Sequence, residues 1–130
     1  MKSIVPHGHR ILIVDDNEDM RQALIEALTL QGYHCVAADH GESAIRCLDT
    51  DQFHLVISDY RMPVMDGIQF LETLKKRPTP SPPVIILTAS KSEELWKRAL
   101  ELGAYVVLLK PFATQDLVAV SARAIESRAI

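Results

Sequence analysis

The sequence predicts an α/β domain, with one parallel sheet and helices on both of its faces. Three observations predict it. First, short runs that are apolar at every position recur at 11–14, 55–57, 84–87 and 105–109. Continuous apolar runs of this length, rich in valine and isoleucine, suit strands covered on both faces, as parallel strands are. Second, the apolar period between the runs lengthens to that of a helix, so strand and helix alternate five times. Third, acidic, hydroxyl and lysine residues follow the runs directly, at the end where such sheets bind ligands.

The elements follow in order. Ile11-Leu12-Ile13-Val14 is the first strand. Met20, Leu24, Ala27 and Leu28 mark one helix face, and Gly32 follows as a stop. Residues 33–38 form a weaker strand, expected at the sheet edge. Ala44, Ile45 and Leu48 mark a shorter helix. Leu55-Val56-Ile57 is the third strand. Ile68, Leu71 and Leu74 mark the third helix, with Asp66 as its cap. The run 78–83, Pro-Thr-Pro-Ser-Pro-Pro, reads as a rigid surface connection. After the strand at 84–87, Ser90-Lys91-Ser92-Glu93 reads as a capping box opening a helix with Leu95, Ala99 and Leu102, closed by Gly103. Residues 105–109 are the fifth strand. Leu117, Val120 and Ala124 mark the last helix, whose cap is either the poor Ala113 or Thr114. Right-handed crossovers then distribute the helices over both faces.

Composition narrows the function classes. The chain has 130 residues, 48% apolar and 24% charged, which is one domain with a sizeable core. The net charge of −3 argues against direct nucleic-acid binding, which calls for clustered Lys and Arg. No apolar run approaches the roughly 20 residues of a membrane span, and the first ten residues lack the apolar core of a secretory signal. The expected location is the cytoplasm. Cys35 and Cys47 form no Cys-x-x-Cys pair and read as buried small apolar residues. Residues 1–9 read as a mobile tail, which discounts His7 and His9 as a metal pair. Residues 10–127 are the domain and 128–130 its end.

The chemistry lies where the strands stop. Asp15 and Asp16 follow the first strand, Asp59 the third, Thr88 the fourth, and Lys110 with Pro111 the fifth. The fold gathers three carboxylates, a hydroxyl and an ammonium on one rim. Grouped carboxylates raise one another's pKa unless a cation neutralises them. Magnesium, which binds a few oxygens and keeps several waters, suits an open rim. A carboxylate there can act as a nucleophile and form an aspartyl phosphate, with hydroxyl and ammonium groups stabilising the transferring phosphoryl. Asp15 and Asp16 as mere helix caps, Asp59 as a turn residue and Lys110 as a solvated lysine are the plain alternatives.

These residues resemble a known family. The stretches 11–16 and 56–59, Met62-Pro63-x-Met65-Asp66-Gly67, Thr88-Ala89, and Gly103-Ala104 through Lys110-Pro111-Phe112 are similar to the response-regulator receiver domain of two-component signalling. The resemblance runs from about Arg10 to the last helix. It implies the flavodoxin-like fold with strand order 2-1-3-4-5. It implies that Asp59 accepts a phosphoryl group from a phosphohistidine on a sensor histidine kinase or phosphotransfer protein. Asp16 would bind Mg2+ or Mn2+ directly, Asp15 largely through water, and Asp59 and the Arg61 backbone carbonyl would complete the ligands. Thr88 and Lys110 would hold phosphoryl oxygens, and the Lys110–Pro111 bond would be cis. Arg61 and Ser90 stand where the family tunes phosphoryl lifetime. The expected output is a changed affinity for a downstream protein or a fused output domain, through the face of helix 4, strand 5 and helix 5, which is also the expected dimer face.

One position departs from the family. Val107 stands where a Tyr or Phe is usual, with Tyr105 on the same strand face two residues earlier. Output would then rest on the loop after Thr88 and the helix carrying Trp96, or on the smaller side chain of Val107. Trp96 itself fits either an interface anchor or partial core packing. Two competing functions remain. One is a degenerate receiver that binds partners without phosphorylation. The other is an aspartyl-phosphate phosphatase of the haloacid-dehalogenase type, which needs Asp-x-Asp where this chain has adjacent Asp15 and Asp16. A signalling domain without separate substrate turnover is the reading preferred. The chain carries no output domain, so it is either a stand-alone receiver or a piece of a longer protein.

Overall fold

In the computed structural model, which describes residues 8–128, five strands alternate with five helices. The strands are β1 (Arg10–Val14), β2 (His34–Ala38), β3 (Leu55–Asp59), β4 (Val84–Thr88) and β5 (Val106–Leu109). The helices are α1 (Glu18–Thr29), α2 (Gly41–Thr50), α3 (Gly67–Lys75), α4 (Glu93–Glu101) and α5 (Thr114–Glu126). All neighbours in the sheet are parallel and the order is β2-β1-β3-β4-β5, so the doubly wound expectation holds and β2 is an edge.

Apolar side chains divide by strand face, as a pleat requires. Leu12, Val14, Val56, Ile86 and Val107 face a core closed by α2, α3 and α4, including Phe70, Leu71 and Ala99. Ile11, Ile13, Ile57, Ile85 and Leu87 face the other core, closed by Leu24 and Leu28 of α1 and by Leu117, Ala124 and Ile125 of α5. β3 and β4 are buried at every position, which is why their sequences do not alternate.

Several local expectations are corrected. The capping box expected to open α4 at Ser90 does not form. Ser92 is the cap, its hydroxyl accepting from the Leu95 N–H at 3.3 Å. Ser90 is held upstream instead, because its N–H is taken by Thr88. At α5 the cap position falls on Ala113 without a side-chain bond, and Thr114 is the first helical residue. His40 caps α2 in a reciprocal arrangement with Ser43 that the sequence reading did not include. Asp66 does cap α3, in a box with Gln69. Gly32 and Gly103 end their helices at φ of 93° and 98°, a region open to glycine at little steric cost.

At the amino ends of the strands, the His9 carbonyl accepts from the His34 N–H at 3.0 Å, and its ring meets His54 edge-on at 4.9 Å. Residues 1–7, including His7, and residues 129–130 lie outside the described part. Cys35 and Cys47 are half-buried rather than buried, and both are free thiols. No described helix is long and apolar enough to cross a membrane.

Candidate functional site

The carboxyl ends of β1, β3, β4 and β5 open into one cleft of about 760 Å³. Asp15 and Asp16 stand just past β1, whereas Asp59 and Thr88 are the last residues of their strands rather than the first beyond them. The ladder carries them there: Asp59 pairs with Leu87, and the Tyr60 N–H donates to the Leu87 carbonyl at 2.8 Å. Placement inside a ladder fixes the backbone at both positions more tightly than a loop would.

Asp15 is 1% exposed. Its Oδ1 accepts from the Asn17 N–H at 2.9 Å, while its Oδ2 is buried without a partner. Its carbonyl accepts from the Arg21 guanidinium at 2.8 Å. Neither aspartate caps α1. Asn17 does so, accepting from the Met20 N–H at 2.9 Å. Oxygens of Asp15, Asp16 and Asp59 lie within 4.8 Å of one another. Burial, first, and repulsion from Asp59 and Asp16 hold the Asp15 carboxyl above its ordinary range, while the Asn17 N–H and Lys110 pull it partly back.

Lys110 supplies the positive charge, its Nζ 2.5 Å from Asp59 Oδ1. The lysine is set by its backbone, since the Lys110 N–H donates to the Thr88 carbonyl at 2.8 Å. The bond to Pro111 is cis. Thr88 is 3% exposed and its Oγ1 accepts from the Ser90 N–H at 3.0 Å. Arg61 and Ser90 line the same cleft, Arg61 with an exposed side chain. Val107 does not reach the cleft; it is buried in the core beneath α4. Pro111 instead borders a neighbouring groove between α1 and the start of α5.

The donor set fits a hard divalent cation. Three carboxylates converge, and one of their oxygens is buried without a hydrogen-bond partner among the described residues. Three supporting residues were not among the sequence candidates. The Ser58 hydroxyl donates to the Asp59 carbonyl at 3.0 Å, Arg21 fixes the Asp15 backbone, and Asn17 anchors both Asp15 and α1. Asn17 alone carried a signal, as an Asx residue just before a helical pattern. An arginine on an amphipathic helix and a serine within an apolar strand are too ordinary to stand out.

Comparison with known proteins gives a consistent result. The response regulator receiver domain family matches residues 11–122. A probable chemotaxis protein CheY of Rhizobium etli is 42% identical over 110 residues, 83% of this chain and 85% of the relative. The transcriptional regulatory protein CpxR of Escherichia coli is 41% identical over 85% of this chain, which spans 47% of that protein. Among solved structures, the chemotaxis response regulator CheY4 of Vibrio cholerae superposes with a TM-score of 0.83 at 30% identity, over 90% of this chain and 98% of the other.

Proposed function

The chain belongs to the response regulator receiver family of two-component signalling, and on that premise we propose that residues 10–127 act as a phospho-accepting switch with Asp59 as acceptor. The observation that carries this reading is the Lys110–Asp59 contact beside three converging carboxylates. An Asp59 oxygen attacks the phosphorus of a partner's phosphohistidine. The new O–P bond forms as the N–P bond breaks and its electron pair stays on the imidazole nitrogen. Lys110 is positioned to hold a phosphoryl oxygen, and the Thr88 hydroxyl to donate to another. Such donors act most strongly where negative charge develops. Mg2+ or Mn2+, held by Asp15, Asp16, Asp59 and the Arg61 carbonyl, would neutralise the carboxylates and the charge on the transferred group. Arg61 and Ser90, at the cleft rim, are suited to tuning how long the phosphoryl survives. The donor is a sensor histidine kinase or phosphotransfer protein, and the output is a downstream protein or a fused domain. Partner contact and dimerisation are assigned to the face of α4, β5 and α5.

The test uses acetyl phosphate and magnesium with intact mass measurement. The wild type is expected to gain one phosphoryl group, and Asp59→Asn none. Absence of a gain in a folded wild type, with a cognate kinase also failing, would overturn the reading.

A further inference from the structure

Val107 leaves the core under α4 without an aromatic ring at its usual strand position, yet an aromatic does engage the loop after Thr88. The indole Nε1–H of Trp96 donates to the Ser90 carbonyl at 2.7 Å, from one turn inside α4. The same residue's N–H donates to Thr88 Oγ1 at 3.0 Å. Ser90 therefore joins the two side chains through its backbone: Thr88 hydroxyl, Ser90 peptide, Trp96 indole. The Ser90 hydroxyl adds a third hold, accepting from the Ser92 N–H at 3.2 Å just before the helix. Trp96 is half-buried and packs on the core cluster that contains Val107. It is the only tryptophan in the chain.

Thr88 Oγ1 uses a lone pair to hold Ser90, which leaves its O–H hydrogen to donate elsewhere. It lines the cleft with Asp59, so a phosphoryl group on Asp59 offers that hydrogen an acceptor. Donation does not require the Ser90 bond to break. Movement of Thr88 toward the cleft then draws the Ser90 peptide with it, and the Ser90 carbonyl carries the displacement to the indole. We propose that Trp96 is the aromatic member of this domain's switch, a positioning residue coupled to Thr88 through the Ser90 backbone and moving the start of α4 with it. This rests on the phosphoryl reading of Asp59.

The test follows tryptophan emission and intact mass on the same sample during incubation with acetyl phosphate and magnesium. In the wild type the emission is expected to shift in proportion to the mass gain. Ser90→Ala keeps both backbone bonds and should keep the shift. Ser90→Pro lacks the N–H, and its emission shift per phosphorylated molecule should be lost. Should Ser90→Pro not fold, Thr88→Val removes the acceptor at constant shape and Thr88→Ser restores it, so emission change per phosphorylated molecule should vanish in the first and return in the second. Mass gain without an emission shift in the wild type overturns the relay alone. Retention of the shift in Ser90→Pro or Thr88→Val does the same. No mass gain in any protein overturns the phosphoryl reading, and the relay with it.

Discussion

At the amino ends of the strands Asp49 and Asp51 each meet an arginine, whereas at the carboxyl ends three aspartates crowd together and Lys110 pairs with one of them, Asp59. Arg77 lies 2.9 Å from Asp49 and also reaches the Leu48 carbonyl, and Arg10 lies 3.8 Å from Asp51 while stacking over the Phe53 ring. Opposite them, Asp15, Asp16 and Asp59 crowd within 4.8 Å and Asp15 Oδ2 has no partner. One end satisfies its charges locally, and the other is left unbalanced. The contrast separates parts that hold the fold from parts arranged for a ligand, because a folded chain tolerates uncompensated buried charge mainly where function requires it.

The largest expected effect comes from removing the lysine. Lys110→Met should slow phosphorylation by acetyl phosphate about 100-fold, the usual cost of losing one charge-stabilising donor. Time-resolved intact mass measures it. A rate within twofold of wild type would mean the Asp59 contact is structural only.

Asp15→Asn tests the imbalance as a stability effect. Without metal, the substitution should stabilise the fold by about 1–3 kcal/mol, because it removes a buried charge that repels Asp59 and Asp16. The sign follows from the raised carboxyl of Asp15. Its folded-state proton affinity exceeds the unfolded one, so its contribution is fully present below the ordinary value of 3.8 and is lost as pH rises through the folded value. At neutral pH the wild type therefore carries a penalty that Asn lacks, and the two should converge below about pH 4. Denaturant unfolding in EDTA at pH 7 and pH 3 checks both arms. Magnesium should reverse the order at pH 7, because it stabilises the wild type by mass action and the variant less.

The same contrast explains what the sequence made legible. Both faces of the sheet, the five alternations and the rim residues were readable because continuous apolar runs and the residues after them follow directly from a two-sided sheet. Asp59, Thr88, Lys110, Asp15 and Asp16 all reach the cleft for that reason. The cap of α4 was not readable. Ser90 and Ser92 are equally good cap residues, and the local turn in which the Ser90 N–H donates to the Thr88 hydroxyl leaves Ser92 as the cap, a choice the residue types do not announce. The Trp96 hydrogen bond was hidden likewise, since its acceptor is a backbone carbonyl. Nor does composition announce that Val64 takes φ 69°.

That residue belongs to the unbalanced end. Val64 is 88% exposed at the centre of a three-residue turn closed by the Met65 N–H and the Pro63 carbonyl at 2.7 Å. Positive φ in such a turn is strained for a β-branched residue and free for glycine. Val64→Gly should stabilise the fold by about 1 kcal/mol, the difference between steric relief and the added chain entropy. Denaturant unfolding reads it, and a loss of stability would show that the valine makes contacts outweighing its strain.

The smallest effect is expected at the balanced end, from the same chemical change as at Asp15. Asp51→Asn removes one charge from an exposed pair whose side chains are 30% and 50% exposed. Such pairs contribute about 0.2–1 kcal/mol, and at 3.8 Å this one belongs at the low end. Arg10 keeps its place over Phe53, so its stem stays packed. The variant should lose about 0.5 kcal/mol or less, with most of the loss gone in 1 M salt, and its phosphorylation rate should match wild type. Asp→Asn would then stabilise the metal-free protein at one end of the sheet and slightly destabilise it at the other. If Asp51→Asn instead stabilised the fold as Asp15→Asn is expected to, relief of overall negative charge would account for both, and the burial and crowding of the Asp15 charge would no longer explain its own effect.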